Sequence, residues 1–356
     1  MKLLIAGGGT GGHVFPALAV AREWLRRDER REVVFVGTQR GMEMRLVPAA
    51  GFKLETIRSA GLKGMGAVRL VRNLAKLPPA LWDSAAILRK HRFDVAFGVG
   101  GYAAGPVMLT AVMSRIPTVI FEPNAEPGFT NRVLARMVGR IAAGYPSVAR
   151  RFGARAIMTG CPVRPEFFAC APRDPVPPFH LLITGGSQGA HIVNRAVIDA
   201  IKVLAVEKQR LSIVHQTGER DYNIAREAYA DSQITAEVAP FFSNMAERFA
   251  EADLIVCRSG AITVAEIAAA GRAAVFIPFG AATDSHQLRN AQEMVAAGAA
   301  RLISESELNG QRLAAEVAGL IAEPRKLIEL GARARQMARP SAAGDIVNLI
   351  EQAVPA

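Results

Sequence analysis

The sequence predicts an α/β protein made of two doubly wound parallel-sheet domains facing a cleft. Three observations carry that expectation. Short apolar runs alternate with helix-length segments along the chain, the pattern of parallel strands covered on both faces. At 356 residues the chain is long for one core and comfortable for two. One phrase also occurs twice, about half a chain apart: "LLIAGGGTGGH" over Leu3–His13 and "LLITGGSQGAH" over Leu181–His191.

In the front half, Leu3–Ala6 reads as a strand, Pro16–Arg27 as a helix and Glu32–Val36 as a second strand. Val95–Val99 and Thr118–Phe121 are further strands, each short, apolar and followed by glycine or proline. The back half repeats the habit with strands at Leu181–Thr184, Ser212–His215, Leu254–Cys257 and Ala274–Pro278. Helical segments such as Ile192–Leu204 and Thr263–Ala270 lie between them. The join falls in "GCPVRPEFFACAPRDPVPPFH" (Gly160–His180), where six prolines in 21 residues exclude helix interiors and central strands. Residues 1–160 and 161–340 are read as the two domains, and an amphipathic helix follows Pro340.

Half of the residues are hydrophobic and 21% are charged, an ordinary globular composition. Aromatics, at 6%, are too few for a base-stacking surface. Cys161, Cys170 and Cys257 show no metal-ligand spacing and read as reduced thiols. No signal peptide and no apolar run of spanning length is visible, so a cytoplasmic protein is expected, free or lying on a membrane surface. The net charge of +11 is lopsided: residues 1–160 hold 24 Lys and Arg against 10 Asp and Glu, and the remainder holds 19 against 22. The front half is therefore expected to meet something anionic.

Gly7-Gly8-Gly9-Thr10-Gly11-Gly12 satisfies G-x-G-x-x-G between a strand and a helix, where backbone N–H groups and the helix N-terminus can receive phosphate. A dinucleotide site also wants a carboxylate at the end of the second strand, for the ribose. That strand ends Val36-Gly37-Thr38-Gln39, so the dinucleotide reading fails. "GVGGYAAGP" (Gly98–Pro106) and Gly185-Gly186-Ser187-Gln188-Gly189 are two more glycine turns after predicted strands, and all three should open on one crevice. "CRSGAITVAE" (Cys257–Glu266) would present free N–H groups and the Thr263 hydroxyl to a diphosphate, with Glu266 one turn on for both ribose hydroxyls. In "PFGAATDSHQLRNA" (Pro278–Ala291), Asp284, His286 and Gln287 open another helix, as caps or as sugar ligands.

"GGTGGH", "GVGGYAAGP", "GGSQGA", "CRSGAITVAEIAAAG" and "DSHQLRNA", in this order from Leu3 to about Pro340, strongly resemble the MurG family. These are the UDP-N-acetylglucosamine:undecaprenyl-diphosphoryl-muramoyl-pentapeptide glucosaminyltransferases of peptidoglycan synthesis. The resemblance implies a GT-B fold, with UDP-GlcNAc held mostly by the C-terminal domain. Thr10, Gly11 and Gly12 would lie near the donor diphosphate and the acceptor. Asn124, in "FEPN", would touch GlcNAc hydroxyls, and Arg164, in "CPVR", and Ser187 would bind phosphate. Phe242, in "PFFSNMA", takes the position whose backbone reads the uracil edge. Ala261, Ile262, Thr263, Val264, Ala265 and Glu266 would hold diphosphate and ribose, and Gln287 the sugar. The family's closing helix returns to the N-terminal domain, which places Ser341–Ala356 there. The family more often has His-Glu-Gln-Asn at Phe121–Asn124 and Gly-Asn-Pro-Val-Arg at Gly160–Arg164, so Pro123 puts the placement of Asn124 in question.

The family's reaction is inverting, from lipid I to β-1,4-linked lipid II, and needs a base and stabilisation of the leaving diphosphate. The base is assigned to His13, whose imidazole suits neutral pH, with Glu122 in reserve. No Asp-x-Asp motif stands near the loops, so donor binding is expected to need no metal or other cofactor. The segment Arg58–Arg92 carries eight basic residues and one acid, Asp83, interleaved with Val68, Val71, Leu74, Leu77, Leu81 and Trp82 around a Pro78-Pro79 break. It is expected to bind the anionic cytoplasmic face of the bacterial plasma membrane. The alternatives are another GT-B UDP-sugar glycosyltransferase or a UDP-GlcNAc 2-epimerase. A nucleic-acid-binding protein would explain the charge, but no such motif is present.

Overall fold

The structure, a computed structural model, describes residues 1–59, 77–207, 210–280 and 285–355. It divides into two units, Met1–Val163 with Arg339–Ala356, and Arg164–Ala338.

The first unit is a seven-stranded parallel sheet of β1 Lys2–Gly7, β2 Glu32–Thr38, β3 Lys53–Ile57, β4 Val95–Gly100, β5 Thr118–Glu122, β6 Arg140–Ala143 and β7 Ala156–Met158. Its helices are α1 Gly11–Arg26, α2 Glu43–Ala49, α3 Leu77–His91, α4 Ala104–Met113, α5 Phe129–Leu134 and α6 Pro146–Phe152. Strand order is β3-β2-β1-β4-β5-β6-β7. Leu3, Leu4, Ile5 and Ala6 of β1 are wholly buried, as an unbroken apolar strand must be when helices cover both faces.

The second unit carries β8 Phe179–Thr184, β9 Leu211–Gln216, β10 Thr235–Ala239, β11 Leu254–Cys257, β12 Ala273–Phe276 and β13 Arg301–Leu302, in the order β10-β9-β8-β11-β12-β13. Its helices are α7 Pro165–Phe168, α8 His191–Leu204, α9 Tyr222–Ser232, α10 Met245–Glu251, α11 Ala261–Ala270, α12 His286–Ala296, α13 Gly310–Ala322 and α14 Pro324–Gln336. In both units the order reverses beside the first strand, between β1 and β4 and between β8 and β11. Connections leave these neighbours toward opposite faces, which opens a crevice at their C-terminal ends.

The last helix, α15 Ala342–Glu351, packs on α1 of the first unit and buries Ile346, Val347 and Ile350 completely. Arg27 at the end of α1 fixes its register, donating to the Gly344 carbonyl at 2.9 Å, Asn348 Oδ1 at 2.8 Å and Glu351 Oε2 at 2.7 Å.

The structure departs from the sequence reading in two respects. Strands β3, β6, β7, β10 and β13 went unread, being short or lying toward sheet edges, where the apolar signal is weak. Helix α1 begins at Gly11, five residues before the expected Pro16, so Gly11, Gly12 and His13 form its first turn. Pro16 has no N–H for the Gly12 carbonyl, which leaves that turn more open than a helix interior. Pro78 and Pro79 are the second and third residues of α3, and the segment on the other side of the expected break lies outside the described residues.

Candidate active site

In the first unit, β1 runs into Gly8-Gly9-Thr10 with positive φ at Gly8 and Gly9, a path open to glycine. The loop cannot satisfy its own N–H groups, and Glu43 does so from the start of α2. Glu43 is 1% exposed; one oxygen accepts from Gly9 N–H at 2.7 Å, the other from Thr38 N–H at 2.8 Å and the Thr38 hydroxyl at 2.9 Å. A Cβ on Gly8, Gly37 or Gly41 would strike this carboxylate. So an acid does follow the second strand, five residues beyond its end. It faces the loop's backbone instead of an open ribose subsite, which is why no acid appears at the expected position.

His13, in the first turn of α1, lies against Gly100 at the end of β4, where a side chain would approach its ring within 3.1 Å. Its Nδ1 is 3.3 Å from Thr10 Oγ1. Thr10 is the exposed N-cap of α1, and Gly11 and Gly12 follow. Glu122 ends β5 and is 1% exposed. Its Oε1 accepts from Asn124 N–H at 3.0 Å and Asn124 Nδ2 at 3.1 Å, and its Oε2 from Gly128 N–H and Asn131 Nδ2, both at 2.9 Å. Four donors fill the four lone-pair positions of a carboxylate. Glu122 is therefore a brace that sets Asn124 after Pro123, with no lone pair left to act as the reserve base.

In the second unit, Gly185–Gly189 runs from β8 to α8, with Ser187 exposed at its tip. Gln216, at the end of β9, is the clamp here. Its Nε2 donates to Thr184 Oγ1 at 3.2 Å and the Gly186 carbonyl at 3.0 Å, and its Oε1 accepts Phe242 N–H at 2.9 Å. The Phe242 N–H is thus engaged within the fold.

Helix α11 starts at Ala261 after the N-cap Gly260, so the N–H groups of Ala261, Ile262 and Thr263 have no intrahelical acceptor. Val264 is buried and Ala265 half-buried on the same helix. Glu266 meets Arg164, with Oε1 3.7 Å from the guanidinium. Burial pushes its carboxyl up to about 7, against the opposing pull of Arg164. Arg164 also lies over the Phe167 ring at 4.9 Å.

A pocket of about 500 Å³ lies beside the glycine loop, lined among others by His191, Arg258, Phe279, Gln287 and Glu305. Arg258 is fixed there by the Ile277 carbonyl at 3.0 Å and by Glu305 at 2.5 Å. Gln287 Oε1 accepts Phe279 N–H at 3.0 Å, and the Gln287 carbonyl accepts from the Ser259 hydroxyl at 2.8 Å. Ser187, Ala261–Glu266, Arg164, Phe242 and Gln287 all belong to this unit, and Thr10–His13, Glu122 and Asn124 to the first. Asp284 lies outside the described residues. Sequence reading passed over Glu43, Gln216 and Arg258. Arg258 stood inside a quoted motif; the other two act on backbone groups and carry no side-chain pattern.

Family models for the glycosyltransferase family 28 N-terminal and C-terminal domains match residues 3–143 and 180–346. Two curated relatives named UDP-N-acetylglucosamine–N-acetylmuramyl-(pentapeptide) pyrophosphoryl-undecaprenol N-acetylglucosamine transferase are similar to the chain. That of Anaeromyxobacter sp. (strain Fw109-5) is 44% identical over 99% of this chain and 94% of the relative. That of Geotalea uraniireducens (strain Rf4) is 45% identical over 98% and 97%. The crystal structure of Acinetobacter baumannii MurG superposes with a TM-score of 0.81 at 34% identity, covering 99% of both chains. A UDP-GlcNAc 2-epimerase from Neisseria meningitidis, at 13% identity and a TM-score of 0.69, shares the fold.

Two outcomes are expected from this geometry. Glu43→Ala leaves two buried donors on Thr38 and the part-buried Gly9 N–H without an acceptor and should lower the unfolding free energy by about 3–5 kcal/mol, read as a shifted urea midpoint. For Glu266, a folded pKa above the ordinary value means that its contribution is present at low pH and is lost as pH rises from about 4.5 to about 7. Glu266→Gln should therefore gain about 2–3 kcal/mol on wild type at pH 8 compared with pH 5, in urea titrations at both values.

Proposed function

The chain belongs to glycosyltransferase family 28, and from that premise we propose how its residues share the work of a MurG-type transferase. It moves N-acetylglucosamine from UDP-GlcNAc to the muramoyl 4-hydroxyl of lipid I, giving the β-1,4 linkage of lipid II. What carries the assignment of the donor to the second unit is its cradle: unpaired N–H groups at the start of α11 with Glu266 and Arg164 one turn away.

In this reading the diphosphate lies over the N-termini of α8 and α11, with Ser187, Thr263 and Arg164 as side-chain donors. Glu266 accepts the ribose hydroxyls, the Phe242 carbonyl accepts the uracil N–H, and Gln287 and Asn124 contact the sugar. Thr10, Gly11 and Gly12 serve the acceptor and the donor diphosphate. Donor binding rests on these groups without a metal or other cofactor. In the transfer, the acceptor oxygen bonds to C1 of GlcNAc while the bond from C1 to the diphosphate oxygen breaks. Its electron pair leaves with UDP, and the hydroxyl proton passes to His13.

The membrane contact belongs to the first unit. Trp82 on α3 is 71% exposed and Met113 at the end of the adjoining α4 is 75% exposed, an unusual amount of apolar surface. Arg89, Lys90 and Arg92 follow on α3 or just past it, and Arg115 follows α4. Asp83 is neutralised by Arg58, whose hydrogen bond holds its carboxyl below the ordinary range. Val68, Val71 and Leu74 lie outside the described residues. Among the described residues no helix is long and apolar enough to cross a membrane. In this reading the protein acts peripherally at the cytoplasmic face of the plasma membrane, where lipid I offers its headgroup.

With radiolabelled UDP-GlcNAc and a short-chain lipid I analogue, wild type should form β-1,4 product. His13→Ala should lose on the order of 10²–10⁴-fold in kcat with donor affinity intact. Near-normal kcat in that variant would remove His13 as the base. In flotation with vesicles, binding should rise with anionic lipid, fall with salt and weaken in Trp82→Asp; indifference to all three would refute the membrane contact.

A further inference from the structure

The second unit holds a histidine–carboxylate pair that the transfer scheme above leaves unused. His191 is the first residue of α8, directly after the Gly185–Gly189 loop, and it lines the same pocket as Arg258 and Gln287. Its Nδ1 lies 2.9 Å from Asp221 Oδ1. The Asp221 side chain is 4% exposed, and its other oxygen accepts from Asn194 Nδ2 at 2.8 Å. Asn194 is held in turn: its Nδ2 also donates to the Thr217 carbonyl at 2.8 Å, and its Oδ1 lies 3.1 Å from His215 Nε2. Burial pushes His215 down to about 3, so it stays neutral and can donate through Nε2 to the Asn194 oxygen.

Burial alone would raise the Asp221 carboxyl, but the hydrogen bonds from Asn194 and His191 outweigh it and hold it below the ordinary range. Asp221 is thus a fixed acceptor. It receives the Nδ1 proton of His191 and leaves Nε2 as the nitrogen that can face a ligand. Nε2 has no hydrogen-bond partner among the described residues, on a side chain that is 45% exposed.

We propose that His191, oriented by Asp221, is a direct contact of the sugar-nucleotide diphosphate and engages it as an imidazolium through Nε2–H. This rests on the donor reading given above. As the bond from C1 to the diphosphate oxygen breaks, the electron pair moves onto that oxygen and the diphosphate gains charge. The Nε2–H group meets that charge with a hydrogen bond, and no proton is transferred. Around the ring stand Asp221, Arg220 at 3.9 Å from Asp221, Arg195 on the next turn of α8, and the Arg258–Glu305 pair on the pocket wall. The arginines keep their charge throughout the neutral range. Glu266, also in this unit, has its own pH dependence, because its carboxylate favours the ribose as pH rises.

Titration calorimetry of UDP-GlcNAc into wild type and His191→Gln from pH 5.5 to 8.5 tests the contact, because the ratio of the two Kd values cancels the part due to Glu266. The variant should bind about tenfold more weakly than wild type. The ¹⁵N imidazole signals of His191 in wild type should shift toward the protonated form on adding UDP-GlcNAc, and Asp221→Asn should reduce that shift. A ratio near one throughout overturns the proposal, as do unmoved His191 signals in a protein that binds the nucleotide. If folded wild type fails to bind UDP-GlcNAc at any pH, the donor reading falls and takes the proposal with it.

Discussion

A glycine loop at the end of a parallel strand has backbone groups that it cannot pair within itself, and both units answer this with one buried side chain. In the first unit the clamp is Glu43, which accepts from Gly9 and Thr38; in the second it is Gln216, which ties Gly186, Thr184 and Phe242. Both clamps come from the neighbourhood of the second strand of their sheet. They differ in charge. A carboxylate clamp opposes an anion in front of its loop, whereas an amide clamp adds no charge of its own. In the second unit a carboxylate, Asp221, is instead hydrogen-bonded by His191 and Asn194 at the start of α8. Two loops of almost the same sequence are thus held by clamps of different charge from outside the loops.

Glu266 shows what such a site costs. A carboxyl pushed up to about 7 by its surroundings is poorly solvated before a ligand arrives. Arg164, at 3.7 Å and partly exposed, offsets this only in part. In the proposed donor site, ribose hydroxyls would add hydrogen bonds to this carboxylate and ease its ionisation. Asp221 is the contrast: it too is buried, but it is satisfied from within the fold by Asn194 and His191.

The doubly wound class and the central strands were legible because β1, β4, β8 and β11 are unbroken apolar runs that end in glycine, serine or polar turns. The strands β3 and β10 were not, since they are half-exposed at sheet edges and alternate too weakly to stand out. Motif positions such as Glu266 and Arg164 could be named, but the distance between them depends on where α7 lies against α11. The clamps were invisible for a different reason. Glu43 bonds to main chain, and main-chain acceptance is not a pattern of residue types. Glu122 misled as a base candidate because saturation by four donors is a property of packing.

The return of α15 to the first unit bears on how the protein is made. Residues 164–338 are contiguous, so every contact within the second unit exists once Ala338 has been synthesised. The first unit is interrupted: its sheet is complete by Met158, yet the face of α1 that receives Ile346 and Ile350 stays uncovered while the whole second unit is translated. On the ribosome the unit begun first is therefore the one finished last, and an apolar surface must remain guarded through roughly half of synthesis.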